Sequence, residues 1–199
     1  MKLFSLEETF NLNIDEVKNL YKTNVSPAQV KLLSAFSFGK DLSDTSEGCY
    51  IFTKSGKKIL DFTGGFGVLN HGHNNQRIID ARINFQKKKK VEVHKNYLCP
   101  YLAALSHNIA NILPGDLNVS YLPNSGAEAN EGAIKLAYKF HEGKRKYILH
   151  SNISFHGKLL DTGSISASPE VKFNFPGLSN TDTFNWNDIE SVKEKIKKY

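Results

Sequence analysis

Two short stretches of this 199-residue chain carry residues whose types and spacing suit ligand chemistry. The first is Asn124-Ser125-Gly126-Ala127-Glu128-Ala129-Asn130-Glu131, which falls where a predicted strand gives way to a predicted helix. A helix start leaves backbone N–H groups unpaired and carries partial positive charge. Gly126 and Ala127 are therefore placed to donate to a phosphate, with the Ser125 hydroxyl beside them. Lacking a side chain, Gly126 lets a ligand approach the backbone closely. Ser125 and Glu128 also fit S-x-x-E, a capping box that satisfies the helix's own donors without any ligand. The lysine of a Walker loop and the G-x-G-x-x-G spacing are both missing, which disfavours a nucleotide.

The second stretch, one predicted strand further on, is Ser154-Phe155-His156-Gly157-Lys158. A phosphate cradle followed by an aromatic residue at a strand end suits a flat, phosphorylated heteroaromatic ring, and pyridoxal phosphate has that shape. The alternative is that Phe155 fills core and His156 bonds to a loop carbonyl. Upstream, His71-Gly72-His73 alternates two imidazoles on an extended segment. No third ligand stands at a recognised spacing, so no metal is expected. Nothing singles out Lys158 or any other lysine as buried or lowered in pKa, and no catalytic lysine is assigned.

The elements that must position these residues follow from periodicity and punctuation. Helices are predicted at Asp15–Tyr21 and Pro27–Leu33, the second capped by Ser26 with Pro27 at its first position. After a polar connection, Cys49–Thr53 and Lys58–Phe62 read as a hairpin turned at Ser55-Gly56-Lys57. Gly64-Gly65-Phe66-Gly67 follows, which no regular element tolerates well. Helices are predicted at Asn75–Phe85 and Leu102–Leu113, the latter stopped by Pro114-Gly115. Val119–Leu122 as strand, Gly126–His141 as helix and Tyr147–Leu149 as strand make a βαβ unit with a parallel sheet. The stretch to about Pro176 is loop-rich with one further short strand, and Asn187–Lys197 is a last amphipathic helix. The organisation expected is a helical lead-in over 1–47, a small-domain hairpin and glycine-rich segment over 48–74, and the first part of a large α/β domain over 75–199.

With 40% apolar and 23% charged residues, the chain is neither disordered nor collagen-like. No apolar run reaches the roughly 18 residues that span a bilayer, and Glu7 and Glu8 stand where a signal peptide needs a basic, then apolar start. Cys49 and Cys99 match no metal or redox spacing. A reducing cytoplasm is therefore expected, with no membrane association. Eight lysines in two clusters, Lys87–Lys90 and Lys193, Lys195, Lys197 and Lys198, turn a balance of −2 into the formal +6. Such runs without interleaved aromatic or arginine residues are solvated helix faces, so no nucleic acid is expected.

Three segments in this order resemble the class III pyridoxal-phosphate-dependent aminotransferases of fold type I. They are Leu60-Asp61-Phe62-Thr63-Gly64-Gly65-Phe66-Gly67 leading to Asn70-His71-Gly72-His73; Asn124 to Glu131 with Ala133-Ile134-Lys135-Leu136-Ala137 after it; and Phe155-His156-Gly157. The resemblance runs from about Gly48 to Ser168, and its wording is most similar to the putrescine (diamine) aminotransferases. It implies an α/β fold, a mostly parallel sheet with flanking helices, of which this chain holds an incomplete large domain plus a small-domain segment. It implies pyridoxal 5'-phosphate as cofactor, its phosphate on Ser125, Gly126 and Ala127, its ring stacked on Phe155 with His156 beside it. The Gly64–Gly67 segment, with Phe66 as its substrate-binding residue, and the His71–His73 region would line the substrate entrance near a homodimer interface. Many relatives have arginine where Lys158 stands, which weakens carry-over of carboxylate recognition there and suits a diamine. The reaction implied moves an amino group from an amine or ω-amino acid to a 2-oxo acid.

Family members run to roughly twice this length, and their second half holds the lysine that links to the cofactor and the aspartate that pairs with its pyridine nitrogen. This chain lacks both, so on its own it is expected to be inactive, poorly soluble, and dependent on a second half. Two alternatives stay open: a non-catalytic binding module on a truncated aminotransferase fold, or an aminomutase, decarboxylase or racemase reaction on the same cofactor site.

Overall fold

In the computed structural model, which describes residues 3–91, 96–167 and 177–199, capping side chains open three helices in succession. The Ser5 hydroxyl accepts from the Glu8 N–H while Glu8 accepts from the Ser5 N–H, a reciprocal box that starts α1 (Leu6–Phe10). Asn13 and Glu16 repeat the arrangement at α2 (Ile14–Asn24). Ser26 caps α3 (Pro27–Ala35) by accepting from the Gln29 N–H at 3.2 Å. Each box satisfies donors that a helix start leaves open. The chain divides into two compact units, Met1–His94 and Lys95–Tyr199, and each is described by itself.

In the first unit, a three-stranded antiparallel sheet follows α3: β1 (Ser43–Glu47), β2 (Tyr50–Thr53) and β3 (Lys58–Leu60), in the order β1-β2-β3. The predicted hairpin is β2 and β3, with Tyr50 opposite Leu60 and Phe52 opposite Lys58. The stretch read as a polar connection is in fact strand β1. Its Ser-Asp-Thr-Ser-Glu sequence carries no apolar alternation because it is a mostly exposed edge strand, held by its ladder to β2. The Lys54 ammonium bonds to the Phe10 and Leu12 carbonyls, tying the α1–α2 junction to the hairpin. A single turn, α4 (Gly64–Gly67), follows β3, and helix α5 (Gln76–Lys87) starts from an Asn75 cap.

The second unit contains α6 (Pro100–Ile112), α7 (Gly126–Phe140), β4 (Ile148–Ser151), α8 (Leu160–Ser164), β5 (Thr181–Phe184) and α9 (Ile189–Lys198). One prediction fails here: Val119–Leu122 forms no strand. A strand needs a neighbour's ladder, and among the described residues β4 pairs with β5. Val119–Leu122 instead runs past α7, where Tyr121 lies so close that a Cβ on Gly132 would meet its ring at 2.7 Å. The parallel pair thus sits one step later than predicted, as β4–α8–β5, with Ile148 opposite Thr181 and Ser151 opposite Phe184. The further strand expected before about Pro176 touches residues 168–176, outside those described; β5 lies beyond them. Helix α9 is fastened to β5 through Asp182, whose carboxylate accepts from Lys195 (2.7 Å), Lys198 (3.1 Å) and the Tyr199 hydroxyl (2.8 Å). Lys195 first, then Tyr199 and Lys198, hold that carboxyl well below the ordinary range. The Tyr199 ring stacks on Tyr147 at 3.7 Å.

Little apolar surface is covered. The buried apolar side chains among the described residues are Val30, Ile134 and Ile165. The accessible surface is 16602 Å², whereas a folded 22.3 kDa protein exposes about 9,400 Å², or about 11,000 Å² as two separate domains. The excess stands on either count, and Leu98, Val119, Leu136 and Phe140 are among the side chains left open.

Candidate functional site

The two chemistry-bearing segments of the second unit meet at the N-terminus of α7. The Ser125 hydroxyl accepts from the Glu128 N–H at 3.2 Å, which is half of the predicted capping box. The other half is displaced by one residue: Glu128 Oε2 accepts from the Asn124 N–H at 2.7 Å rather than from Ser125. The N–H groups of Gly126 and Ala127 have no partner among the described residues, and a Cβ placed on Gly126 would find nothing within 4 Å. Two adjacent donors at the positive end of a 15-residue helix, with open space at Gly126, fit a phosphate.

Gly157 closes one side of this corner. Its φ is +129°, and a Cβ there would lie 2.5 Å from the Ala127 Cβ, so the absence of a side chain is what brings the Phe-His-Gly turn against α7. Asn130 holds the turn from the helix side by donating to the His156 carbonyl at 2.9 Å. Glu131 accepts from the Thr162 N–H at 3.0 Å and ties α8 to the same helix. No role was assigned to Asn130 and Glu131 from sequence. For Asn130 the signal is its type, since asparagine is a poor mid-helix residue unless its amide has work elsewhere; Glu131, a good helix former, carries none.

His156 does bond to a loop carbonyl: its Nδ1 lies 2.9 Å from the Ile165 oxygen. A carbonyl only accepts, so Nδ1 carries the proton and Nε2 of the neutral ring is left as acceptor. Phe155, however, does not fill core; it is 64% exposed and presents its ring to solvent. Lys158 is exposed on the loop after the turn.

In the first unit, Asp61 organises the glycine-rich segment. Its Oδ1 accepts from the Thr63 N–H (2.8 Å), the Thr63 hydroxyl (2.7 Å) and the Gly64 N–H (3.0 Å), and its Oδ2 faces His73 Nε2 at 2.8 Å. The Thr63 hydroxyl, then His73, hold this carboxyl well below the ordinary range. Backbone bonds between Gly48 and His73 in both directions fix the histidine loop to the sheet. His73 is thus engaged by Asp61, while His71 Nδ1 bonds to the Gly72 carbonyl. Gly64, Gly65 and Phe66 have φ of +51°, +61° and +58°, so α4 is a left-handed turn. Phe66, the one of the three with a side chain, stands 98% exposed. Among the described residues no cluster of three or more His, Cys, Asp or Glu is placed to hold a metal, and no helix is long and apolar enough to cross a membrane.

The architecture is α/β and partial, and its class is that of the fold type I transaminases. A transaminase from the marine bacterium Virgibacillus has the same fold, with a TM-score of 0.76 over 92% of this chain and 44% of its own, at 19% identity. The family model described as Aminotransferase class-III matches residues 41–197, and the chain belongs to that family. The acetylornithine aminotransferase of Prochlorococcus marinus subsp. pastoris is 33% identical over 174 residues, 85% of this chain and 41% of that protein. The putrescine aminotransferase of Pectobacterium atrosepticum is 28% identical over 188 residues, 92% of this chain and 40% of that protein. The chain spans about two-fifths of the length of these curated relatives.

Proposed function

We propose that this chain forms the cofactor-phosphate half of a pyridoxal 5'-phosphate-dependent aminotransferase that moves an amino group from an amine or ω-amino acid, with putrescine the candidate donor, to a 2-oxo acid. The observation that carries it is the corner at the start of α7: two backbone donors without a partner among the described residues, with an exposed aromatic ring on a turn packed against Ala127. When bound, the cofactor supplies an electron sink for the pair left on the substrate carbon as its proton departs. Gly126 and Ala127 donate to the phosphate, and the Ser125 hydroxyl, which uses a lone pair on the Glu128 N–H, keeps its own proton for the same oxygens. Phe155 offers a ring face for stacking, and His156, fixed through Nδ1 to Ile165, stands next to it in the chain.

Lys158, exposed after the Phe-His-Gly turn, is assigned to the substrate side, and Phe66, exposed on the first unit, is separately assigned a substrate contact. The covalent lysine and the pyridine-pairing aspartate are to be supplied from outside these 199 residues, as is the cover for the apolar side chains left open. A homodimer in the cytoplasm completes the proposal, in keeping with two free thiols. The test uses the protein expressed from its natural gene, loaded with pyridoxal phosphate, reduced with borohydride and mapped by mass spectrometry. One stoichiometrically labelled lysine, with amino transfer from putrescine to 2-oxoglutarate, supports it. Absence of any stoichiometric label sinks the aminotransferase assignment, and labelling with transfer only from another amine removes putrescine alone.

A further inference from the structure

Phe155 is exposed, so packing does not fix its ring; its backbone neighbours do. The His156 N–H donates to the Ser166 hydroxyl at 2.9 Å, and that hydroxyl has the Thr162 carbonyl at 2.9 Å and the Gly157 carbonyl at 3.1 Å as acceptors. Ser166 is completely buried, so no water substitutes for these partners. On either side of Phe155 the same strip of chain makes further bonds: Ser154 Oγ donates to the Ile165 carbonyl, and the Ala167 N–H donates to the Ser154 carbonyl. Opposite, Asn130 and the close Ala127–Gly157 approach hold the turn against α7. The residues on both sides of Phe155 are thus clamped between α7 and residues 162–167, and Ser166 is the side chain that grips the peptide directly after Phe155.

We infer that Ser166 is a positioning residue: it sets the angle of the Phe155 ring relative to the phosphate donors of α7, and through that ring the orientation of the bound pyridine, which rests on the cofactor assignment above. It touches neither phosphate nor ring. A buried hydroxyl with one incoming and two alternative outgoing bonds is well suited to this, because removing it strands the His156 N–H and frees the turn to rotate. The phosphate donors lie on α7 and do not depend on it.

Pyridoxamine 5'-phosphate, which binds without a covalent link, is the probe, added to the protein expressed from its natural gene. Its induced circular dichroism reads ring orientation, while inorganic phosphate affinity reads the cradle alone. Ser166→Ala is expected to lose the induced band several-fold with phosphate affinity unchanged. Ser166→Cys, nearly isosteric with a weaker donor, is expected to lose less, and it serves if the alanine variant does not fold. Ser164→Ala removes a comparable hydroxyl, which bonds Leu160 and Leu178 and not the Phe155 turn; its band should match the parent. An unchanged band in Ser166→Ala, or equal loss in Ser164→Ala, overturns the inference and leaves the cofactor assignment standing. No induced band and no phosphate binding in the parent protein overturns both.

Discussion

Replacing Gly157 by alanine presses hardest on the geometry that joins the two segments. The new methyl would lie 2.5 Å from the Ala127 Cβ, 2.9 Å from the Thr162 hydroxyl oxygen and 3.0 Å from the Ala127 Cα. Two of those atoms belong to a helix, so the turn has to move. A side chain forced into this region of φ costs about 1–3 kcal/mol, and overpacking a close contact costs about 1–3 kcal/mol more. The stiffer unfolded chain returns about 0.4–1 kcal/mol. The net loss expected is about 1–6 kcal/mol, a large part of the stability of a typical domain. Gly126→Ala is the matched comparison, since nothing lies within 4 Å of its Cβ position; helix propensity makes it neutral or up to about 1 kcal/mol more stable. Urea denaturation of both variants in the natural-gene protein decides the matter. Equal midpoints for the two alanines would show that the Ala127–Gly157 approach does not hold the corner together.

Ser125→Asp keeps a strong N-cap while setting a negative charge before α7, so the melting temperature should hold and pyridoxamine phosphate binding should collapse; undiminished binding in a dialysis assay excludes Ser125 from the phosphate site. Asp61 has a carboxyl pKa below its ordinary 3.8, so it adds stability that is complete above that value and fades as pH falls through and below it. Acid titration of stability should therefore be shallower for Asp61→Asn than for the parent below about pH 4, and parallel curves would mean that the Thr63 and His73 bonds do not persist in solution. Asp182→Ala releases Lys195, Lys198 and Tyr199 together. Faster amide hydrogen exchange confined to α9 is the expected result, and exchange unchanged there would show the helix is held by other contacts.

What could be seen in the sequence was chiefly local. Ser26-Pro27 and Ser125 announce helix starts through side chains that act within three residues, and both serines cap as expected, while Asn75, expected as the first helical residue, is the cap of α5. The Ser5-x-x-Glu8 box was equally available and predicts α1, which was not assigned. Strand β1 and the failed strand at Val119–Leu122 share a different cause: pairing decides strands, and pairing is not local. A polar run became a strand because β2 offered it a ladder, while an apolar run found none among the described residues. At the site, the donors of Gly126 and Ala127 follow from helix geometry alone. The clamp around Phe155 does not, because Ser166, Asn130 and Gly157 meet through folding and nothing in their spacing announces it.

The uncovered apolar surface also sets a timetable. A ribosome adding about 5–20 residues per second needs about 10–40 s to make a chain of this length. The caps of α1 to α3 and the turn of the β2–β3 hairpin join residues that are close in sequence and call on no distant partner. Leu98, Val119, Leu136 and Phe140 gain no such early shelter. Exposed apolar side chains of this kind are open to association for the seconds that synthesis takes. The lysine-rich ends of α5 and α9 give copies of the chain like charge, which opposes their association.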